Sequence, residues 1–188
     1  KVTRKQTFIS NAKLEYKLHK NLKLSVSGGY SAFTTLATEF NNSQTYKGYP
    51  MLTNTKGVNG SVLNTSRADW MNENTLTYTK NWKNSRHKLN VVAGFTMQGT
   101  QQKRFGFSSM HIPNESLGIS GIDDGLPDSM SALLTENYLM SWLGRVNYSL
   151  KSRYMFTFSF RADGSSKFTR DHRWGYFPSG AFAWRLGE

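Results

Sequence analysis

The sequence has no cysteine, 4 prolines, no long apolar run, and only 12 acidic side chains against 24 basic ones. Each shortage excludes something. Without thiols there is no disulfide scaffold, no cysteine-held zinc or iron–sulfur site and no thiol chemistry. Without 18 consecutive apolar residues no helix can cross a bilayer, and no targeting peptide is recognisable from Lys1 onward. His19, His87, His111 and His172 stand apart from one another at no metal-ligand spacing. Neither a phosphate-cradling GxxxxGK loop nor a GxSxG elbow occurs. The sequence therefore assigns no catalytic residue, no metal and no cofactor, and it does not read as an enzyme. What it holds in quantity is aromatic: 5 Trp, 9 Tyr and 12 Phe among 188 residues. That is too many for a disordered polycation, so an ordered structure is expected.

The apolar residues recur at every second position, which is the period of a strand. Ala12, Leu14, Tyr16 and Leu18 alternate with Lys13, Glu15 and Lys17, and Leu22, Leu24, Val26, Gly28 and Tyr30 follow after a short turn. The pattern returns at Leu76, Tyr78 and Trp82, then at Leu89, Val91, Ala93, Phe95 and Met97. It returns again at 138–150, at 154–162 and in a run from Trp174 to Leu186. Seven antiparallel strands are predicted. Lys80 falls on the apolar register, where it would have to snorkel.

Between these periodic segments lie 3, 45, 6, 40, 3 and 11 residues, a strict alternation of short and long. In an up-and-down meander alternate connections fall at opposite ends of the sheet. Short turns at one rim and long loops at the other mark outer-membrane barrels, whereas compact soluble domains seldom carry 40-residue loops. The fold class predicted is therefore all-β: part of an antiparallel up-and-down transmembrane barrel. Its apolar face would meet lipid and its Ser, Thr, Asn, Lys and Arg face a wet lumen.

A formal charge of +12 first suggests nucleic acid. The cations, however, are spread over lumen positions, turns and loops, with no basic helix or finger, so no nucleic-acid partner is assigned. Two rival classes follow from the residues: a soluble basic barrel that binds single strands, and a surface carbohydrate-active β-protein using Asp123 and Asp124. Those two carboxylates lack the spacing of a calcium loop.

The segment Tyr154 to Glu188 carries Arg161, then Asp163-Gly164-Ser165-Ser166-Lys167-Phe168, Arg173-Trp174-Gly175-Tyr176-Phe177-Pro178-Ser179 and Ala183-Trp184-Arg185. It closely resembles the SusC/RagA family of TonB-linked outer-membrane transporters. Ser141–Tyr148 and His87–Gly94 are similar to strand motifs of the same family. The resemblance implies a 22-stranded barrel with an N-terminal plug, a SusD-like surface lipoprotein as partner, TonB acting through the plug, and oligosaccharides or peptides as substrate. It implies too that residues 1–188 are barrel only, with plug, signal peptide and terminal strands outside this chain. On this expectation Asp163-Gly164 is a tight rim turn, Gly175 and Pro178 shape the next strand, and Trp174, Tyr176 and Phe177 anchor it. Segments 31–75 and 98–137 are expected to be loops facing substrate and lid. Phe33, Phe40, Tyr46, Tyr49, Trp70, Phe105 and Phe107 are their candidate sugar-stacking rings.

Overall fold

The computed structural model describes residues 1–51, 54–82 and 86–186. They form seven strands: β1 (Val2–His19), β2 (Leu22–Asn41), β3 (Asn59–Asn81), β4 (His87–Met110), β5 (Leu126–Leu150), β6 (Tyr154–Ser165) and β7 (Trp174–Trp184). They lie side by side in chain order in one sheet. The β5–β6 and β6–β7 ladders are antiparallel, with Val146 opposite Phe158 and Phe158 opposite Gly180. This is the meander that the two-residue period predicts.

Burial shows what the period was for. Among the described residues only Ile112 and Ala162 are buried hydrophobics, while Phe158 is 56% and Trp184 50% exposed. The apolar face converges on no dry core. Cross-strand contacts hold it together instead: Phe95 lies 4.4 Å from Trp142, Phe156 lies 5.0 Å from Phe182, and Tyr154 stacks on Trp184 at 6.2 Å. Such pairs are the unit of sheet stabilisation. Lys80, on the apolar register near the end of β3, holds its ammonium 5.4 Å from the centre of the Trp82 ring.

The expectation of loops over 31–75 and 98–137 is corrected. Most of both segments is strand, and the connections shrink to residues 42–58 and 111–125. Phe33, Phe40, Trp70, Phe105 and Phe107 consequently lie on strands, and only Tyr46 and Tyr49 remain in a loop. These extensions are rich in Thr, Ser and Gln on both faces, so they show no apolar alternation. Ladder bonds and polar cross-strand pairs make them strands all the same. Gln101 Nε2 donates to Glu136 Oε1 at 2.5 Å, and the Ser108 and Ser129 hydroxyls meet at 2.7 Å.

The chain separates into two compact units, Lys1–Phe8 with Ser31–Ala68 and Gln101–Glu136, and Ile9–Tyr30 with Asp69–Thr100 and Asn137–Glu188. The first holds the connections 42–58 and 111–125. The second holds the turn Lys20-Asn21, the reversal after β6, and the turn between Leu150 and Tyr154. In that last turn Lys151 and Ser152 both have φ of +53° and Arg153 N–H donates to Leu150 O at 3.0 Å. Two positive φ angles make a type I′ hairpin turn, which matches strand twist but penalises residues that carry a Cβ. Ser152→Gly should therefore raise the unfolding midpoint of the receptor in urea, by up to about 1 kcal/mol of stability.

Candidate functional site

Three groups of polar residues are positioned by this sheet. The first is a ladder on the face opposite the exposed aromatics. Thr157 Oγ1 donates to Asn147 Oδ1 at 3.0 Å, Asn147 Nδ2 to Asn90 Oδ1 at 3.4 Å, and Asn90 Nδ2 to Thr79 Oγ1 at 2.9 Å. Four successive strands, β3 to β6, thus share one chain of hydrogen bonds. The alternation in the sequence is compatible with these residues lying on the wet face but does not reveal the chain, because neither cross-strand register nor amide orientation is written in it. Chemically it is a neutral, polar wall.

The second group contains the motif residues of β6 and β7. Arg161 Nε donates to both oxygens of Asp163, at 2.7 and 2.9 Å, with Nη2 3.5 Å from Ser141 Oγ. The Asp163-Gly164 dipeptide is not the turn expected of it. Asp163 pairs with Gly175 and Gly164 with Trp174, so both lie within the ladder. The reversal comes later and rests on hydroxyls. Ser166 N–H donates to Tyr138 O at 2.9 Å and Tyr138 N–H returns a bond to Ser166 Oγ at 2.8 Å. Ser165 N–H reaches Arg173 O at 3.0 Å, Lys167 N–H reaches Ser165 Oγ at 3.3 Å, and Arg173 Nε reaches Phe168 O at 3.4 Å. Gly164 is needed for packing: a Cβ there would stand 3.0 Å from the Trp174 indole. A Cβ on Gly175 would likewise press on the Phe177 ring at 2.9 Å. Pro178 lies opposite Phe160, Tyr176 opposite Ala162 and Ser179 opposite Ser159.

The third group is the connection 42–58. A cleft of ≈ 320 Å³ opens there between Tyr46, Lys47, Met51, Asn54, Lys56 and Asn59. Its frame is built from side-chain amides. Asn54 Nδ2 donates to Lys47 O at 2.8 Å, Asn59 Nδ2 to the same carbonyl at 2.7 Å, and Asn41 Nδ2 to Asn59 Oδ1 at 2.9 Å. Both lysines are neutralised, Lys47 by Glu39 at 2.7 Å and Lys56 by Asp128 at 2.6 Å. With its amides occupied and its charges paired, the cleft offers aromatic and aliphatic surface, and Tyr46 is 84% exposed.

Glu115 ties the two long connections together. It accepts the Ser43 N–H at 2.8 Å and the Ser43 hydroxyl at 3.0 Å. The Ser43 amide, then its hydroxyl, hold the carboxyl below the ordinary glutamate value, with a smaller opposing effect of burial. A carboxyl whose value is lowered on folding stabilises the fold fully above the unfolded value of about 4.3, and this is lost as pH falls through the lowered one. Protection of the Ser43 amide against hydrogen exchange should accordingly drop on acidification through that range, and Glu115→Gln should remove the pH dependence.

Asp123 and Asp124 end the 3₁₀ segment Glu115–Asp124. Among the described residues no three His, Asp or Glu side chains gather as a metal site. His87 is engaged by Tyr148, Nδ1 to Oη 2.7 Å.

No family model matches the chain. Individual proteins do. TonB-dependent receptor P3 of Formosa agariphila is 30% identical over 186 residues, 97% of this chain and 18% of that protein. TonB-dependent receptor SusC of Bacteroides thetaiotaomicron is 55% identical over 58 residues, 31% of this chain. Among solved structures the RagAB peptide transporter superposes with a TM-score of 0.77 over 95% of the chain and 19% of its own, at 19% identity. The chain thus spans less than a fifth of the length of each of these proteins. An exposed apolar face, a polar opposite face, a consecutive antiparallel meander and these similarities have one common explanation: the chain belongs to the SusC/RagA family of TonB-dependent outer-membrane receptors, of whose β-barrel it supplies seven strands.

Proposed function

We propose that the whole protein imports oligosaccharides or peptides across the outer membrane, driven by TonB through a plug outside this chain and lidded by a SusD-like surface lipoprotein. The observation that carries this reading is the two-faced sheet: an apolar surface with no core to fill, backed by the Thr79–Asn90–Asn147–Thr157 wall. Bond-making plays no part in it. The protein gates and hydrates a path, and its relatives are receptors and transporters, so Asp123 and Asp124 are given no catalytic role.

Substrate is met in this reading by the connections 42–58 and 111–125. Tyr46 and Tyr49 are its stacking residues, because the cleft beside them presents ring faces and no unpaired charge, a surface suited to neutral sugars. The motif residues Arg161, Asp163, Gly164, Ser165, Ser166, Phe168, Trp174, Gly175, Tyr176, Phe177, Pro178 and Ser179 build the outer rim and hold no ligand. Deleting the gene should abolish uptake of labelled oligosaccharide or peptide, loss of TonB should do the same, and a lipoprotein should copurify. Tyr46→Ala with Tyr49→Ala should weaken binding by about 1–3 kcal/mol, read by calorimetry on the purified receptor. Uptake that persists without TonB would overturn the proposal.

A further inference from the structure

The exposed face of β5–β7 has an apolar groove that the proposed transport does not use. Its volume is ≈ 450 Å³, and its walls include Val146, Tyr148, Phe156, Phe158 and Phe182 around Gly180. Register makes the slot. Gly180 stands opposite Phe158, and a Cβ at Gly180 would meet nothing within 4 Å, so the sheet is open there between aromatic rings. Its apolar lining suits an alkyl chain.

Directly below the groove, on the same strands, lies a cationic rim. Tyr148 pairs with Phe156 and Phe156 with Phe182, and one step nearer the turn Tyr154 pairs with Trp184. The turn itself carries Lys151 and Arg153, both exposed, with the Arg153 guanidinium 5.9 Å from the Trp184 ring centre. Lys151 N–H donates to Arg86 O at 2.5 Å, which brings Arg86 against this turn. Beside it His87 Nδ1 meets Tyr148 Oη, and Lys80 lies over Trp82. No acidic residue occurs in 80–90 or 148–162 of the sequence. Among the described residues Lys80, Arg86, Lys151 and Arg153 form no ion pair. Unneutralised cations and hydroxyl-bearing rings at the foot of an apolar slot present one end for a phosphate and the other for a hydrocarbon chain.

We infer that this groove and rim form a binding site for one anionic glycerophospholipid, its acyl chain along Phe156, Phe158, Gly180 and Phe182 and its phosphate at Lys151 and Arg153. The inference rests on the outer-membrane placement, and the short turns put the site in the periplasmic leaflet. An ordinary aromatic girdle would bind lipids without regard to headgroup charge. This site should discriminate, because a single exposed turn at its foot carries two cations, Lys151 and Arg153.

The test uses the full receptor in mild detergent, exchanged with radiolabelled dioleoyl phosphatidylglycerol or dioleoyl phosphatidylcholine. Wild type should retain the anionic lipid preferentially. Lys151→Gln with Arg153→Gln, both at an exposed turn, should cut its retention roughly thirtyfold, the equivalent of two headgroup charges, and erase the preference. Gly180→Leu should fill the slot and reduce retention of both lipids; a heat-modifiable band on a gel confirms an intact barrel. Equal retention of both lipids by wild type, unchanged retention in the charge variant, or full displacement by inorganic phosphate would overturn the site. Because the readout is bound lipid, this result and the uptake result fail independently.

Discussion

Arginine in place of Phe158 should destabilise the receptor in a bilayer by about 2–4 kcal/mol, the penalty for a cation on the lipid face near mid-membrane. The position follows from register. Phe158 is four residues along β6 from Tyr154, which stacks on Trp184 at the aromatic rim. At roughly 3.3 Å per residue and a tilt near 40° that is about 10 Å into an apolar band about 25 Å tall. Its ring is 56% exposed on a face that no other part of the described chain covers. The neighbouring Ser159 points the other way, so Ser159→Arg should change stability by less than about 0.5 kcal/mol. Folding of the two variants into lipid vesicles, titrated with urea, separates the faces. Equal effects at both positions would mean that the apolar face meets protein.

A single methyl group at Gly48 should dismantle the connection 42–58. Gly48 is buried in its loop, and its N–H donates to Thr45 O at 3.0 Å. A Cβ there would fall against the carbonyl oxygens of Asn42 and Asn41, the latter at 2.5 Å. Backbone cannot yield as a side-chain tip can, so Gly48→Ala belongs at or above the upper end of the usual overpacking penalty, about 3 kcal/mol. Asn41 sits at the root of the same loop, and the bond from its Nδ2 to Asn59 Oδ1 would be lost with it. Limited proteolysis of the receptor should show new cleavage between residues 42 and 58, with ligand binding lost along with the cleft. The barrel itself should still fold on its strand ladders, although Glu39 on β2, Asn59 on β3 and Asp128 on β5 would lose their partners in this loop.

Wherever one face of a strand was greasy and the other wet, the sequence was readable residue by residue. Tyr154, Phe156, Phe158 and Phe160 against Thr157, Ser159 and Arg161 leave no other period, and β6 forms where they predict it. Where polar residues fall on both faces, alternation vanishes although the strand persists, which is why 31–41, 59–75, 98–110 and 126–137 read as loop. Strands of 20 to 25 residues in β2 to β5 are about twice what crossing a bilayer requires. The surplus is held by ladder bonds that carry no mark in composition.

Sequence by itself determined the strand number, the antiparallel order, the two faces and the family resemblance, because these follow from a period of two and from local motifs. Tertiary structure alone decided the cross-strand partners. It made Gly164 a seat for the Trp174 indole, joined Thr79, Asn90, Asn147 and Thr157 into one hydrogen-bonded wall, and opened a slot at Gly180 above Lys151 and Arg153. Register fixes such neighbours, and register belongs to pairs of strands, so no single stretch of chain records it.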